Sequence, residues 1–365
     1  MHNAVRTCAP SVRLFALLLI AAAASASAAE KNNPRTIPIR IPGGQEGIGF
    51  DDMRTDPLTG AIFIPAGVTG SVFRIDPTTH ALTAFSGFAS SPAWKGHDDG
   101  PTSVDIGLGY LFVVDRTSQS LDIAAVATQT IVAHVPLGGP PDLVRCLPSE
   151  SEVWVTEPAT SRIEVFDLRP LQQGDGPPAF KLEIPAPGGP QGLVLDAPHG
   201  VAYTHLPATA ETAAIDMVTH VIRERWDCGC DDRDPQGLVL DGSHRILVTA
   251  CGDGTLLALD PVGQHELLGK VRSGLGVNIV AYNETLQHIY APGAQSGTMA
   301  VVGMRPGGTL ELLGIVPVPY GAHSASADRH RGVYICDPAH GQVVVWHDPF
   351  PPTTLMEPRP TPPVR

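Results

Sequence analysis

The chain repeats itself, and that constrains its fold more than any other feature. The segment PQGLVLDGSHRILVTACGDGTLLALD from Pro235 has a near copy, PQGLVLDAPHGVAYTH, that starts 45 residues earlier at Pro190. A unit that recurs this closely cannot bury its apolar face alone and must stack on its neighbours. Superposing the copies gives seven, each with a strand, a turn, a second strand of β-formers, a polar turn and a third strand. The second strands are AIFI (61–64), LFVV (111–114), VWVT (153–156), VAYT (201–204), ILVT (246–249), HIYA (288–291) and VYIC (333–336). Third strands follow as SVFRID, SLDIAA, RIEVFDL, TAAIDM, TLLALD, TMAVVG and QVVVWH. β-branched and aromatic residues dominate these runs, and helical i, i+3, i+4 spacing is absent. Turn signals such as DPLTG, DAPHG and DGSHR suit hairpin loops.

The repeat length of about 42–50 residues is that of a four-stranded blade. The expected fold is therefore all-β, a seven-bladed β-propeller in which each twisted sheet covers the apolar face of the next. The 38 Gly and 36 Pro, spread without a collagen-like period, match many tight turns. The last copy ends at QVVVWHDP and runs into FPPTTLMEPRPTPPVR, whose prolines forbid a further ladder strand. The last blade thus lacks an outer strand, and RTIPIRI (35–41) is expected to complete it and close the ring. The domain reading is an export signal over 1–29, the propeller over 30–348 and a Pro-rich, loosely held tail over 349–365.

Residues 1–29 read as a signal because Arg6 and Arg13 precede the apolar run Leu14–Ala24, and ASASAA supplies small residues for cleavage. That run is short for a membrane span, and no later stretch approaches one. A periplasmic or extracellular location follows. Without Arg6 and Arg13 the chain keeps 22 basic against 37 acidic residues, or −15. Such an excess repels phosphate backbones and anionic headgroups, so no nucleic-acid role is expected, and the lack of a long apolar run argues against a membrane span. Five cysteines remain beyond the signal: Cys146, Cys228, Cys230, Cys251 and Cys336. Their odd number leaves at least one unpaired. Cys228 or Cys230 is expected to bridge to Cys251, and spacing does not choose between them.

The units FDDMRTDPLTGAIFIPAGVTGSVFRID and PQGLVLDGSHRILVTACGDGTLLALD resemble the YVTN-repeat, YncE-like β-propellers of bacteria. The resemblance runs from about Glu46 to Trp346, although a literal YVTN is absent and VAYTH and ILVTAC come nearest. It implies an exported seven-bladed protein of a family with many members of unknown activity and some proposed to bind ligands, partners or DNA, and the acidic charge speaks against the last.

Repeat register then names the residues that share one face of such a ring. Entering the innermost strands are Asp51, Thr102, Asp142, Gln191, Gln236, Asn278 and His323. Leaving the second strands are Pro65, Asp115, Glu157, His205, Ala250, Pro292 and Asp337. The first set is all polar although the strands it introduces are apolar. Either these side chains fix inter-blade loops, as Asp and Asn do in turns, or they form a site.

Two versions of the site compare. In one, Gln191, His205, Gln236, Asn278, Asp115 and Glu157 bind a small polar ligand or another exported protein, with no cofactor and the chain a monomer. In the other, the chain is a metal-assisted lactonase or lyase, in which Ca²⁺ or Mg²⁺ sits on Asp51, Asp142 and Asn278 and polarises a lactone or ester carbonyl. His323 would then act as general base, with Asp337 beside it to hold the ring. EGIGF (46–50) is similar to the opening Glu-Gly-Pro-x-Trp motif of propeller lactonases of the gluconolactonase and paraoxonase type, without its Pro and Trp. His97, Asp98 and Asp99 in KGHDDG could reach the same face. His199, His220, His244, His330 and His340 read as surface residues in outer turns, and Trp154 and Trp346 as core. No G-x-S-x-G, H-E-x-x-H or P-loop motif is present.

Overall fold

A computed structural model describes residues 36–91 and 99–353. The proposed signal, His97, Asp98 and the tail beyond 353 lie outside these residues. The described chain forms seven antiparallel four-stranded sheets. Six are built from consecutive strands, here lettered A to D from the channel outward. Blade 4 is representative, with A at Gln191–Asp196, B at Val201–Leu206, C at Glu211–Asp216 and D at Val221–Asp227.

Burial explains why the second and third strands stood out in the sequence. Strand B of blade 3, Glu152–Glu157, is buried along its whole length, because neighbouring blades cover both of its faces. Alternation decides which neighbour each side chain meets. Val153 and Val155 pack with Phe112 and Val114 of blade 2, whereas Trp154 between them packs with Leu193 and Ala202 of blade 4. Trp346 of blade 7 likewise meets Tyr290 of blade 6, ring centroids 6.4 Å apart. Both tryptophans are core. Outer strands alternate between exposed and half-buried, as in Thr130–Pro136. Among the described residues no helix is long and apolar enough to cross a membrane.

The N-terminal strand completes the last blade. Ile37–Arg40 pairs antiparallel with strand C of blade 7, Gln342–His347, placing Ile37 opposite Val345 and Ile39 opposite Val343. Ile41 N–H donates to Gly341 O at 3.0 Å and Ile48 N–H to Pro338 O at 3.0 Å. Gly341 has φ +54, and a Cβ there would stand 1.7 Å from Gly44 O, so the closing strand can approach only a glycine.

The first residues of the Pro-rich tail are not loose. Arg331 Nη1 donates to the carbonyls of Asp348 and Phe350, each at 2.8 Å. Thr353 N–H donates to Leu286 O at 2.9 Å. The Asp348 carboxylate accepts the Tyr290 hydroxyl at 2.7 Å and lies 2.6 Å from His288 Nδ1, with all three side chains buried. Residues 349–353 therefore dock on blades 6 and 7, held by polar contacts that a Pro-rich composition does not reveal.

The disulfide joins Cys230 to Cys251. Cys228 is a buried thiol in the same apolar cluster, with Ala210 and Leu257. Cys230, Asp232 and Cys251 form a compact group of metal-ligating residue types among the described residues, but its two sulfurs are bonded to each other.

Candidate functional site

The innermost strands of five blades converge on a pocket of about 220 Å³ at one end of the channel. Asp51, Asp142, Gln191, Gln236 and Asn278 all line it, each from the position at which the chain enters its blade. Local structure aims them. Thr156, the buried Thr of VWVT, accepts Leu143 N–H on its hydroxyl at 2.9 Å, and its carbonyl accepts Asp142 N–H at 2.8 Å. Thr204 of VAYT donates to Gly192 O at 2.6 Å. The ladder slips between Gln191 and Leu193 and between Pro235 and Leu238. Such bulges turn a side chain off the alternation of its strand, and here both glutamines line the pocket.

Three further residues complete the site: Asp52, Arg116 and Arg145. Arg145 rises from strand A of blade 3 (Val144–Leu147) and links blade 1 to blade 4. Its Nη1 donates to Asp52 Oδ2 at 2.6 Å, its Nη2 to Asp52 Oδ1 at 3.2 Å and its Nε to Leu193 O at 3.0 Å. Ser103 Oγ also donates to Asp52, at 2.6 Å. This buried pair forms the floor. On one wall, Arg116 Nη2 lies 3.1 Å from Asp51 Oδ2 and 2.5 Å from Asp142 Oδ1, and its Nε donates to Pro141 O. Burial pushes the Asp142 carboxyl up to about 6, Arg116 opposing and Asp51 and Asp52 adding. Asp51 is raised for the same reason, burial first.

The rest of the lining is uncharged. It carries Gln191, Gln236 and Asn278 with the backbone around Gly192 and Gly237. Gln236 Nε2 donates to Asp234 Oδ1 at 2.7 Å. The carboxamides of Gln191 and Asn278 form no hydrogen bond to any described residue.

His323 stands beside this pocket in a state unlike that of a general base. Its Nδ1 lies 2.7 Å from Gly321 O and its Nε2 2.6 Å from Phe50 O. Carbonyl oxygens only accept, so both nitrogens must carry protons. Burial alone would lower its pKa, but the Cys336 sulfur and these two carbonyls outweigh that and raise it to about 10. Asp337 does not hold it. The Asp337 carboxylate is engaged by His340 Nδ1 at 2.8 Å and Gln342 Nε2 at 2.8 Å. A ring that is already doubly protonated has no lone pair for a substrate proton.

The second set of predicted residues does not reach the pocket. His205 is fully buried, 3.0 Å from Thr212 Oγ1, and burial lowers its pKa to about 3. Asp115 accepts Ser118 N–H at 3.0 Å. Glu157 accepts Arg162 Nε at 2.7 Å and Thr160 Oγ1 at 2.8 Å. Each is tied to its own hairpin, and none of the three lines the pocket. His220 is also inside, 3.0 Å from Glu152 and against Trp154, rather than on the surface.

A hard cation takes several oxygens at once; here Asp51 and Asp142 each place one carboxylate oxygen on Arg116, so a cation would share these carboxylates with that guanidinium.

No family model and no curated protein matches the chain. Solved structures do match it in shape. The β-propeller domain of Myceliophteria thermophila Cps50 (Swd1) superposes with a TM-score of 0.67 at 14% identity, covering 85% of this chain and 98% of that one. A chain of Kuenenia stuttgartiensis hydrazine synthase gives 0.66 at 11%, covering 85% and 97%. A chain of a mitotic checkpoint complex gives 0.69 at 11%, covering 95% and 96%. The chain is thus a seven-bladed β-propeller.

Proposed function

We propose that the chain is an exported binding protein of the YVTN-repeat type whose pocket at the channel mouth receives a small polar ligand. One observation carries the reading: five equivalent positions in five blades, polar in every case, line a single pocket. Loop-fixing alone would leave their side chains bonded to their own turns, yet Gln191 and Asn278 have no such partner among the described residues. At about 220 Å³ the space equals that of about seven waters. It falls below the range that encloses drug-sized molecules, so the ligand is compact. The disulfide supports an oxidising compartment, where such bonds persist. The neighbours in shape include part of an enzyme and part of a checkpoint assembly, so shape does not select between turnover and binding. The engaged nitrogens of His323 and the Arg116-bound carboxylates favour binding.

The test is a thermal-shift screen of a metabolite library, with calorimetry on the hits, using wild type and Asn278→Trp, which fills the mouth. Compounds that stabilise wild type and not the variant support the reading. Equal responses from both proteins, or none from either, would sink it.

A further inference from the structure

The charges around the pocket are already matched. Asp52 is paired with Arg145, and Asp51 and Asp142 share Arg116. His323, protonated on both nitrogens by its carbonyl partners, is close enough to Asp51 to stabilise its charge. Among the described residues, three carboxylates therefore face three cations. An ion entering this space would leave water without finding an uncompensated partner, and an unpaired buried charge is strongly disfavoured.

The uncommitted groups are the carboxamides. Gln191 and Asn278 each keep an acceptor oxygen and two N–H donors, and Gln236 keeps its oxygen after donating to Asp234. A hydroxyl both donates and accepts, and so matches a carboxamide in either sense. A carboxylate or phosphate only accepts and an ammonium only donates, which leaves half of each amide unsatisfied.

We propose that the ligand is a neutral, polyhydroxylated molecule of monosaccharide size, held by Gln191, Gln236 and Asn278 and seated on the Asp52–Arg145 pair. This rests on the pocket being the ligand site, and the experiment separates the two claims.

Matched sugars that differ at one ionisable group are the probes: glucose with glucuronate and glucosamine, and galactose with galacturonate. N-acetylglucosamine joins as a neutral amide. Calorimetry on the mature protein should show at least one neutral member binding about tenfold more tightly than its charged counterparts. Its affinity should change by less than about twofold between low and high salt, because no net charge is neutralised. Gln191→Ala and Asn278→Ala should each weaken it about tenfold or more while leaving the melting temperature of the free protein unchanged.

Tighter binding of a charged member, lost in those variants, would overturn the neutral-ligand proposal and keep the pocket. Neutral binding that the variants leave untouched would remove the pocket itself. No binding by any member at about 10 mM would overturn the proposal, while the library screen still decides the pocket.

Discussion

Replacing Arg145 with methionine tests how the channel is held. The side chain is 8% exposed and its partner Asp52 3%. Methionine keeps the apolar stem and deletes the four donations made to Asp52 Oδ1, Asp52 Oδ2, Val144 O and Leu193 O. Asp52 is then left as a buried carboxylate without a countercharge, a class of change that costs about 3–5 kcal/mol. Ser103 still donates to Oδ2, which places the expected loss near about 3 kcal/mol, a large share of a typical folding free energy. Urea unfolding followed by tryptophan fluorescence would read the loss as a lower midpoint at unchanged slope. The decisive step is the second substitution. Arg145→Met with Asp52→Asn removes both charges, and should recover at least about 2 kcal/mol relative to additive single effects. A single variant that loses under about 1 kcal/mol, or a double variant whose losses simply add, would refute the idea that a desolvated ion pair supports the pocket floor.

Three other outcomes are expected. The folded Asp142 carboxyl holds its proton up to about 6, against 3.8 when unfolded. Between these values the native chain binds more protons than the unfolded one. Stability from this group is therefore present at about pH 4 and lost as pH rises through 6, by up to about 3 kcal/mol. Asp142→Asn should lack this slope, so its stability relative to wild type should rise from about pH 4 to pH 7 in urea titrations. The Cys230–Cys251 bond closes a segment of 21 residues, so Cys251→Ser should cost about 3 kcal/mol. Cys228→Ser should leave the bond intact in non-reducing peptide maps. Asp348→Ala strips the acceptor from Tyr290 and the partner from His288 in a fully buried place, and should lower the unfolding free energy by about 2–4 kcal/mol.

The sequence revealed whatever recurred from blade to blade. Strands such as ILVT and VYIC were legible because both faces are covered by neighbours, which makes them continuously apolar. The polar positions from Asp51 to Asn278 were legible because the same register repeats around the ring. Arg145 and Asp52 are 93 positions apart, and no local pattern marks such a pair, although an arginine inside LVRC was a signal that some distant anion had to compensate. His323 and Phe50 are 273 apart, so its protonated state was invisible. Asp337 was misread for a different reason. Asp-x-x-His recurs as Asp196/His199, Asp241/His244 and Asp337/His340, and each carboxylate takes its own turn's imidazole at i+3. Local geometry outcompeted the distant partner.

The strand over Ile37–Arg40 leaves the ribosome among the first described residues, yet its partner Gln342–His347 comes among the last. A growing chain thus carries its latch without a partner, and once blade 7 is made its sheet edge stays raw until that latch docks. Two crowded molecules offer each other the same latch, so reciprocal exchange of this strand is the natural route to a misassembled dimer, and trimming residues 36–41 should leave rings that stick to one another.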